Sequence, residues 1–325
     1  MSQLHKFIFD GLPVRGSIVK LTDAWQEILA RRQANNTTGA WPPPVAELLG
    51  EMAAAGVLMQ SNIKFNGALI LQIFGDGPVK VAVCEVQHDL GLRVTAKVVG
   101  DVAVDARLSD MLNVTNKGRC AITLDPKERF PGQQPYQGVV PLYGDHNERL
   151  EKLSDVLQHY MLQSEQLDTT LVLAADSEVA AGLLIQRLPV AGEANLAGSM
   201  VSKENEDEIG RNEDYNRIAI LASSLTRTEL LELDVDTILH RLFWEEKVIR
   251  FEPQTPHFQC TCSRGRVSNM IRSLGREEAE QIVEERGDIE VACDFCGQQY
   301  RFDAVDAAQI FTSASDQPPG SSRVQ

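Results

Sequence analysis

Residues 65–96, FNGALILQIFGDGPVKVAVCEVQHDLGLRVTA, divide into short apolar runs separated by turn residues. The runs at 68–74 and 79–86 are rich in Leu, Ile and Val, and Gly75-Asp76-Gly77-Pro78 separates them as a hairpin turn does. The Gly-x-Gly of that turn also suggests a phosphate loop. No helix signal follows it, however, and the Lys-Ser/Thr pair of a Walker loop is missing, so the turn reading is preferred. The stretch reads as an antiparallel meander.

On either side of the meander, strand and helix signals alternate up to about residue 190. Residues 6–9 read as a strand and 22–32 as an amphipathic helix. A loop with Trp41, Pro42, Pro43 and Pro44 leads into 45–59, where Leu48, Leu49, Met52, Ala53 and Val57 recur at the spacing of a well-buried helix. Strands are expected at 119–124, 139–143, 170–174 and 182–188, with an amphipathic helix at 147–163. The predicted class is α+β: a mixed α/β domain with antiparallel sheets over residues 1–190.

Composition changes after Pro189. Residues 190–202 are rich in Ala and Gly, and 203–214 are strongly acidic with few apolar anchors, the pattern of a linker, a hinge or a solvated helix face. Helical periodicity returns at 218–244 through Ile220, Leu221, Leu225, Leu230 and Leu231, and Thr226 with Glu229 has capping-box spacing. We expect a metastable helical linker over 191–245, too thinly apolar to form a core. A small C-terminal zinc-binding module is expected over 246–311. Residues 312–325, rich in Ser, Pro and Gly, should form a disordered tail.

The chain has 325 residues, 43% of them hydrophobic, enough for a full core and a further module. Its formal net charge is -15 and it has no block of Lys or Arg, which argues against nucleic acid or an anionic membrane as partner. Charges interrupt the first ten residues, and no stretch approaches the ~20 apolar residues of a membrane span. A cytoplasmic location is expected. There thiols stay reduced, so clustered cysteines suggest metal or redox chemistry. Cys84 and Cys120 stand apart in strand-like runs and read as plain buried thiols.

The other four cysteines form two pairs. Cys260 and Cys262 lie two residues apart, so on an extended segment their sulfurs share one face. In Cys293-Asp294-Phe295-Cys296-Gly297 the spacing and the following glycine suit a tight knuckle. Together they supply four soft ligands, for which one tetrahedral zinc ion is the expected occupant, ahead of an iron-sulfur cluster. His257 is a possible substitute ligand, but four cysteines already close the site. A closed site leaves no position for an activated water, which argues against hydrolysis. Spacing alone fits best a structural staple for a module too small to fold without metal.

Several segments resemble the 33 kDa chaperonin family, the redox-regulated heat-shock chaperones of bacteria. They are Val14-Arg15-Gly16, Leu48-Leu49-Gly50-Glu51, Lys64-Phe65 with Gly75-Asp76-Gly77-Pro78, Tyr136-Gln137-Gly138-Val139-Val140-Pro141-Leu142, Ser164-Glu165-Gln166 and Ala181-Gly182-Leu183-Leu184-Ile185-Gln186. The most specific element is the Cys-x-Cys and Cys-x-x-Cys pair, and the resemblance spans nearly the whole chain. It implies a non-enzymatic, ATP-independent holdase that is inactive when reduced and zinc-bound and captures unfolding clients under oxidative stress. It also implies homodimerisation of the active form, with Cys260, Cys262, Cys293 and Cys296 as the metal ligands. On that reading the expected oxidation products are the local disulfides Cys260–Cys262 and Cys293–Cys296. The Ser/Pro-rich tail and the alanine-rich Ala53-Ala54-Ala55-Gly56 depart from the family pattern. A purely structural zinc ribbon that docks a partner and a thiol-disulfide oxidoreductase using Cys293 and Cys296 are the competing readings. No thioredoxin-like setting surrounds that second pair.

Overall fold

The computed structural model describes residues 1–35, 39–128, 134–188 and 213–312. Most of the expected acidic linker, including Glu204, Glu206, Asp207 and Glu208, lies outside the described residues, as does the tail beyond Thr312. The chain divides into two compact units, Met1–Gln259 and Cys260–Gln325.

In the first unit, β1 (Gln3–Phe9) and β2 (Val14–Leu21) form an antiparallel hairpin, followed by α1 (Asp23–Gln33). The β2 strand is not evident from sequence, because its buried residues do not alternate with polar ones. α2 (Pro43–Ser61) starts on two prolines, tolerated where a backbone N–H would have no helical partner anyway. Of its 19 residues 14 are buried, so the helix must lie inside the unit rather than on it. It packs between two sheets, and Gly56 allows the close approach: a Cβ there would stand 2.9 Å from Cys84 Sγ. Cys84 and Cys120 are buried and unpaired, as expected.

β3 (Gly67–Phe74), β4 (Val79–Gln87) and β5 (Gly91–Val98) form the antiparallel meander read from the sequence. A short helix α3 (Leu108–Leu112) follows, then β6 (Arg119–Pro126) beside β3 and β7 (Tyr136–Pro141) beside β6. The next helix, α4 (Leu153–Glu165), begins later than its expected start at residue 147. Asn147 has φ +64°, and Tyr143 bridges Arg149, so a turn occupies the interval. β8 (Thr169–Ala175) and β9 (Ala180–Arg187) then join the sheet, with β9 between β2 and β8.

The Gly75–Pro78 turn is fastened by Asp76. Its carboxylate accepts hydrogen bonds from the backbone N–H groups of Val114 (2.6 Å), Thr115 (2.9 Å) and Lys117 (3.1 Å), and from the Thr115 hydroxyl. Desolvation alone would raise its pKa; the hydrogen bonds outweigh it and hold the carboxyl below its ordinary range. A depressed carboxyl pKa gives stability that is present above the unfolded-state value and lost as pH falls through the folded-state value. Asp76→Ala should therefore cost about 1–3 kcal/mol at neutral pH. In denaturant titrations the difference from the parent should shrink as pH falls below about 4.

The segment expected to be too thinly apolar for a core makes a second one. α5 (Glu213–Ser223), α6 (Arg227–Glu232) and α7 (Val235–Phe243) bury Tyr215, Ile218, Leu230, Ile238 and Phe243 against Phe7, Phe9, Ile18 and Leu183 of the five-stranded sheet. The rings of Phe9 and Phe243 meet edge to face at 5.0 Å. Sequence periodicity assigned the wrong member to this face: Ile220 is 71% exposed, whereas Tyr215 and Ile218 are buried. The Thr226–Glu229 capping box is present as read. Lys20 donates to the carbonyls of Leu231 (3.1 Å) and Leu233, which ties α6 to β2. Arg227 pairs with Glu47 of α2 at 2.5 Å.

The expected boundary at residue 246 also moves. β10 (Val248–Arg250) pairs with β1, and β11 (His257–Phe258) runs parallel to β5, because both extend free sheet edges of the first unit. No described helix is long and apolar enough to cross a membrane.

The second unit is α+β on a small scale. α8 (Arg264–Leu274) and α9 (Arg276–Arg286) meet at Gly275, whose φ of +99° a side chain would oppose. β12 (Ile289–Ala292) and β13 (Gln299–Phe302) form a hairpin, followed by α10 (Ala304–Ile310). The core of this unit comprises Ile271, Ala279, Ile289, Phe302, Ala307 and Ile310.

Candidate metal centre

The hairpin β12–β13 ends at the pair Ala292–Gln299, so Cys293–Gln298 forms its loop. Cys293 N–H donates to Gln298 O (2.9 Å), and Gly297 N–H donates to Cys293 O (2.8 Å). Gly297 has φ +72°, the left-handed conformation that favours glycine, which is why a glycine follows Cys296. The knuckle turns backbone N–H groups toward its own sulfurs: those of Cys296 and Phe295 toward Cys293, and that of Gln298 toward Cys296. Ser263, the N-cap of α8, accepts from Arg266 N–H (3.2 Å) and so ends the Cys260–Cys262 segment at a fixed helix start.

These two segments bring all four expected sulfurs together. The Sγ atoms of Cys260, Cys262, Cys293 and Cys296 lie within 4.8 Å of one another. Cys260 and Cys293 are 3.7 Å apart, and Cys262 and Cys296 are 3.4 Å apart. His257 is not a member of the cluster; it lies on β11 of the first unit.

Burial pushes the Cys293 and Cys296 thiols upward; neighbouring cysteines add to this at Cys296, while at Cys293 the backbone N–H groups of Cys296 and Phe295 oppose it. Four thiolates at this spacing need a cation among them, and the donor set fits a single metal ion held by sulfur alone. Tyr300 was not identified from the sequence. Its hydroxyl donates to Cys262 Sγ at 3.1 Å, and that bond, ahead of burial, pushes the phenol up to about 12. Its signal was its place on β13 opposite Val291, two residues before Cys293. Outer partners of this kind orient a metal ligand and temper its charge. Arg266 extends the shell by donating to Thr261 Oγ1 at 2.7 Å.

The family model described as Hsp33 protein matches residues 2–303. The 33 kDa chaperonin of Chromobacterium violaceum is 44% identical over 309 residues, covering 95% of this chain and 93% of that protein. The 33 kDa chaperonin of Neisseria meningitidis serogroup A is 41% identical over 308 residues, covering 94% and 90%. Among solved structures, the 33 kDa chaperonin (heat shock protein 33 homolog) of Thermotoga maritima superposes with a TM-score of 0.71, covering 95% of this chain and 97% of that one. At 19% identity it speaks to the fold alone. With a family model spanning nearly the whole chain and relatives above 40% identity over nine-tenths of both lengths, the chain belongs to the Hsp33 family of chaperones.

Proposed function

We propose that the chain is a redox-regulated, ATP-independent cytoplasmic holdase whose four-cysteine centre binds zinc in the reduced, inactive state. The observation that supports it best is the sulfur cluster itself, placed in a unit whose core has only six buried residues among the described ones. Tetrahedral zinc with Zn–S bonds of about 2.3 Å would set its sulfurs about 3.8 Å apart, close to the separations seen here. When bound, zinc would hold all four sulfurs as thiolates, the form that attacks peroxide.

Oxidation then runs within each pair. One thiolate attacks a peroxide oxygen, forming a sulfenic acid and releasing hydroxide; its neighbour displaces a second hydroxide to close the disulfide. Two peroxides convert four thiolates into Cys260–Cys262 and Cys293–Cys296 with four hydroxides released, and no thiolate is left to retain the ion. A long-range bridge such as Cys262–Cys293 would close a loop of about 30 residues and stabilise the unit by roughly 3–4 kcal/mol, whereas local bridges constrain little. Local pairing therefore leaves the second unit open.

In the same reading the helices of the 191–245 linker are metastable. Their release bares apolar surface for unfolding clients, the active chain dimerises, and acidic residues such as Glu213 and Asp214 keep the opened protein in solution. The test is suppression of aggregation of a denatured protein before and after peroxide at mild heat, with non-reducing peptide mapping. Activity only after oxidation, with local disulfides, is expected. Activity confined to the reduced form would favour a docking ribbon instead, and predominantly long-range bridges would refute the unfolding step.

A further inference from the structure

Four of the segments that carry the family resemblance have no part in the cysteine cluster, yet they meet in one place. Arg15 on β2, Tyr136 on β7, Glu165 at the end of α4 and Gln186 on β9 line one cavity of about 150 Å³ within the first unit. Most of its remaining wall is hydrocarbon, from Met59, Ile63, Ile122, Leu124 and Leu184 among others. The cavity opens to solvent on one side, and its volume is large enough for a benzene-sized group against the hydrocarbon part of its wall.

The polar groups on its wall are unevenly matched. Glu165 Oε1 accepts from both tyrosine hydroxyls, Tyr160 at 3.0 Å and Tyr136 at 3.1 Å, so its charge is already held. Arg15 donates to Gln186 Oε1 from both Nε (3.0 Å) and Nη2, and from Nη1 to Asn62 O (3.4 Å); these acceptors are neutral, two of its five N–H groups are left over, and no carboxylate pairs with it among the described residues. Lys6 adds a second cation nearby: its ammonium donates to Ser61 O at 2.7 Å, and its pKa is lowered by burial and then by Arg15. Both cations cap the last carbonyls of α2, which explains their presence but not the empty space beside them. A half-buried guanidinium with N–H groups to spare fits a carboxylate in a forked pair.

The geometry points to a binding site for a small carboxylate with a compact apolar body, its ring or chain in the cavity and its head on Arg15. The site is separate from the cysteine centre and does not rest on the redox reading.

The test titrates the reduced, metal-loaded full chain with benzoate, benzyl alcohol and benzylamine while methyl resonances of Met59, Ile63 and Leu184 are followed by NMR. Benzoate should shift them saturably and bind about tenfold or more tightly than benzyl alcohol, the factor expected of a charged hydrogen-bonded pair. Benzylamine should bind most weakly. Arg15→Gln should abolish the preference for benzoate while leaving benzyl alcohol unaffected, and Leu184→Phe should block both. If Arg15→Gln fails to fold, the ligand series on the unaltered chain decides. No saturable shift with benzoate, or equal binding of benzoate and benzyl alcohol, overturns the proposal.

Discussion

On the proposed reading that the four cysteines hold zinc, removing it from the reduced chain is expected to unfold residues 260–312 while leaving 1–259 folded. Six buried residues, two of them alanine, make too small a core to offset the conformational entropy of some fifty residues. A structural zinc site contributes about 10–16 kcal/mol in small modules, comparable to or larger than the whole stability of a typical domain. The hairpin loop also depends on it, because Cys293 and Cys296 are held close together at the apex of a strand pair only four residues long on each side. Chelation should abolish the helical signal of α8, α9 and α10 in circular dichroism and remove amide protection from 264–310, with the protection of β3, β4 and β9 retained. Cys296→Ser should do the same without a chelator. Full amide protection of 264–310 after chelation would show that the module folds on its own packing.

Much of this was legible in the sequence. The meander, the buried α2 and the four-cysteine cluster each follow from patterns local to a few residues: turn glycines between β-branched runs, helical spacing of apolar residues, ligand spacing on either side of a loop. What was not legible depends on partners far along the chain. β2 has no alternation because both its faces are covered, one by α2 and the other by the helices of the 213–243 segment. That segment looked too thin for a core because half of its core comes from β1, β2, β8 and β9, and no local count of its own residues could include Phe7 or Ile18. β10 and β11 are too short to give a strand signal and exist only because a sheet edge is there to receive them. Tyr300 joined the metal centre through cross-strand register, which spacing within one strand does not reveal.

The second core yields the other large prediction. Phe243 is 2% exposed and packs on Phe7 and Phe9, with ring centroids at 6.3 and 5.0 Å. Phe243→Ala should destabilise the docked helices by about 3–5 kcal/mol, a large fraction of a domain's stability. If these helices gate the client surface, the reduced variant should bind a hydrophobic dye and suppress aggregation without any oxidant. Trp244→Ala is the control: that side chain is 68% exposed, and its loss should change stability by no more than about 0.5 kcal/mol and leave the reduced protein inactive. The strands beneath should survive in Phe243→Ala, because α2 and the six-stranded sheet hold them from the other face, and amide protection in β2 and β9 would report this. A reduced Phe243→Ala protein that loses the expected stability, keeps its sheets and still holds no client would mean that undocking these helices is not what activates the chain. The gate would then have to lie in the cysteine unit alone.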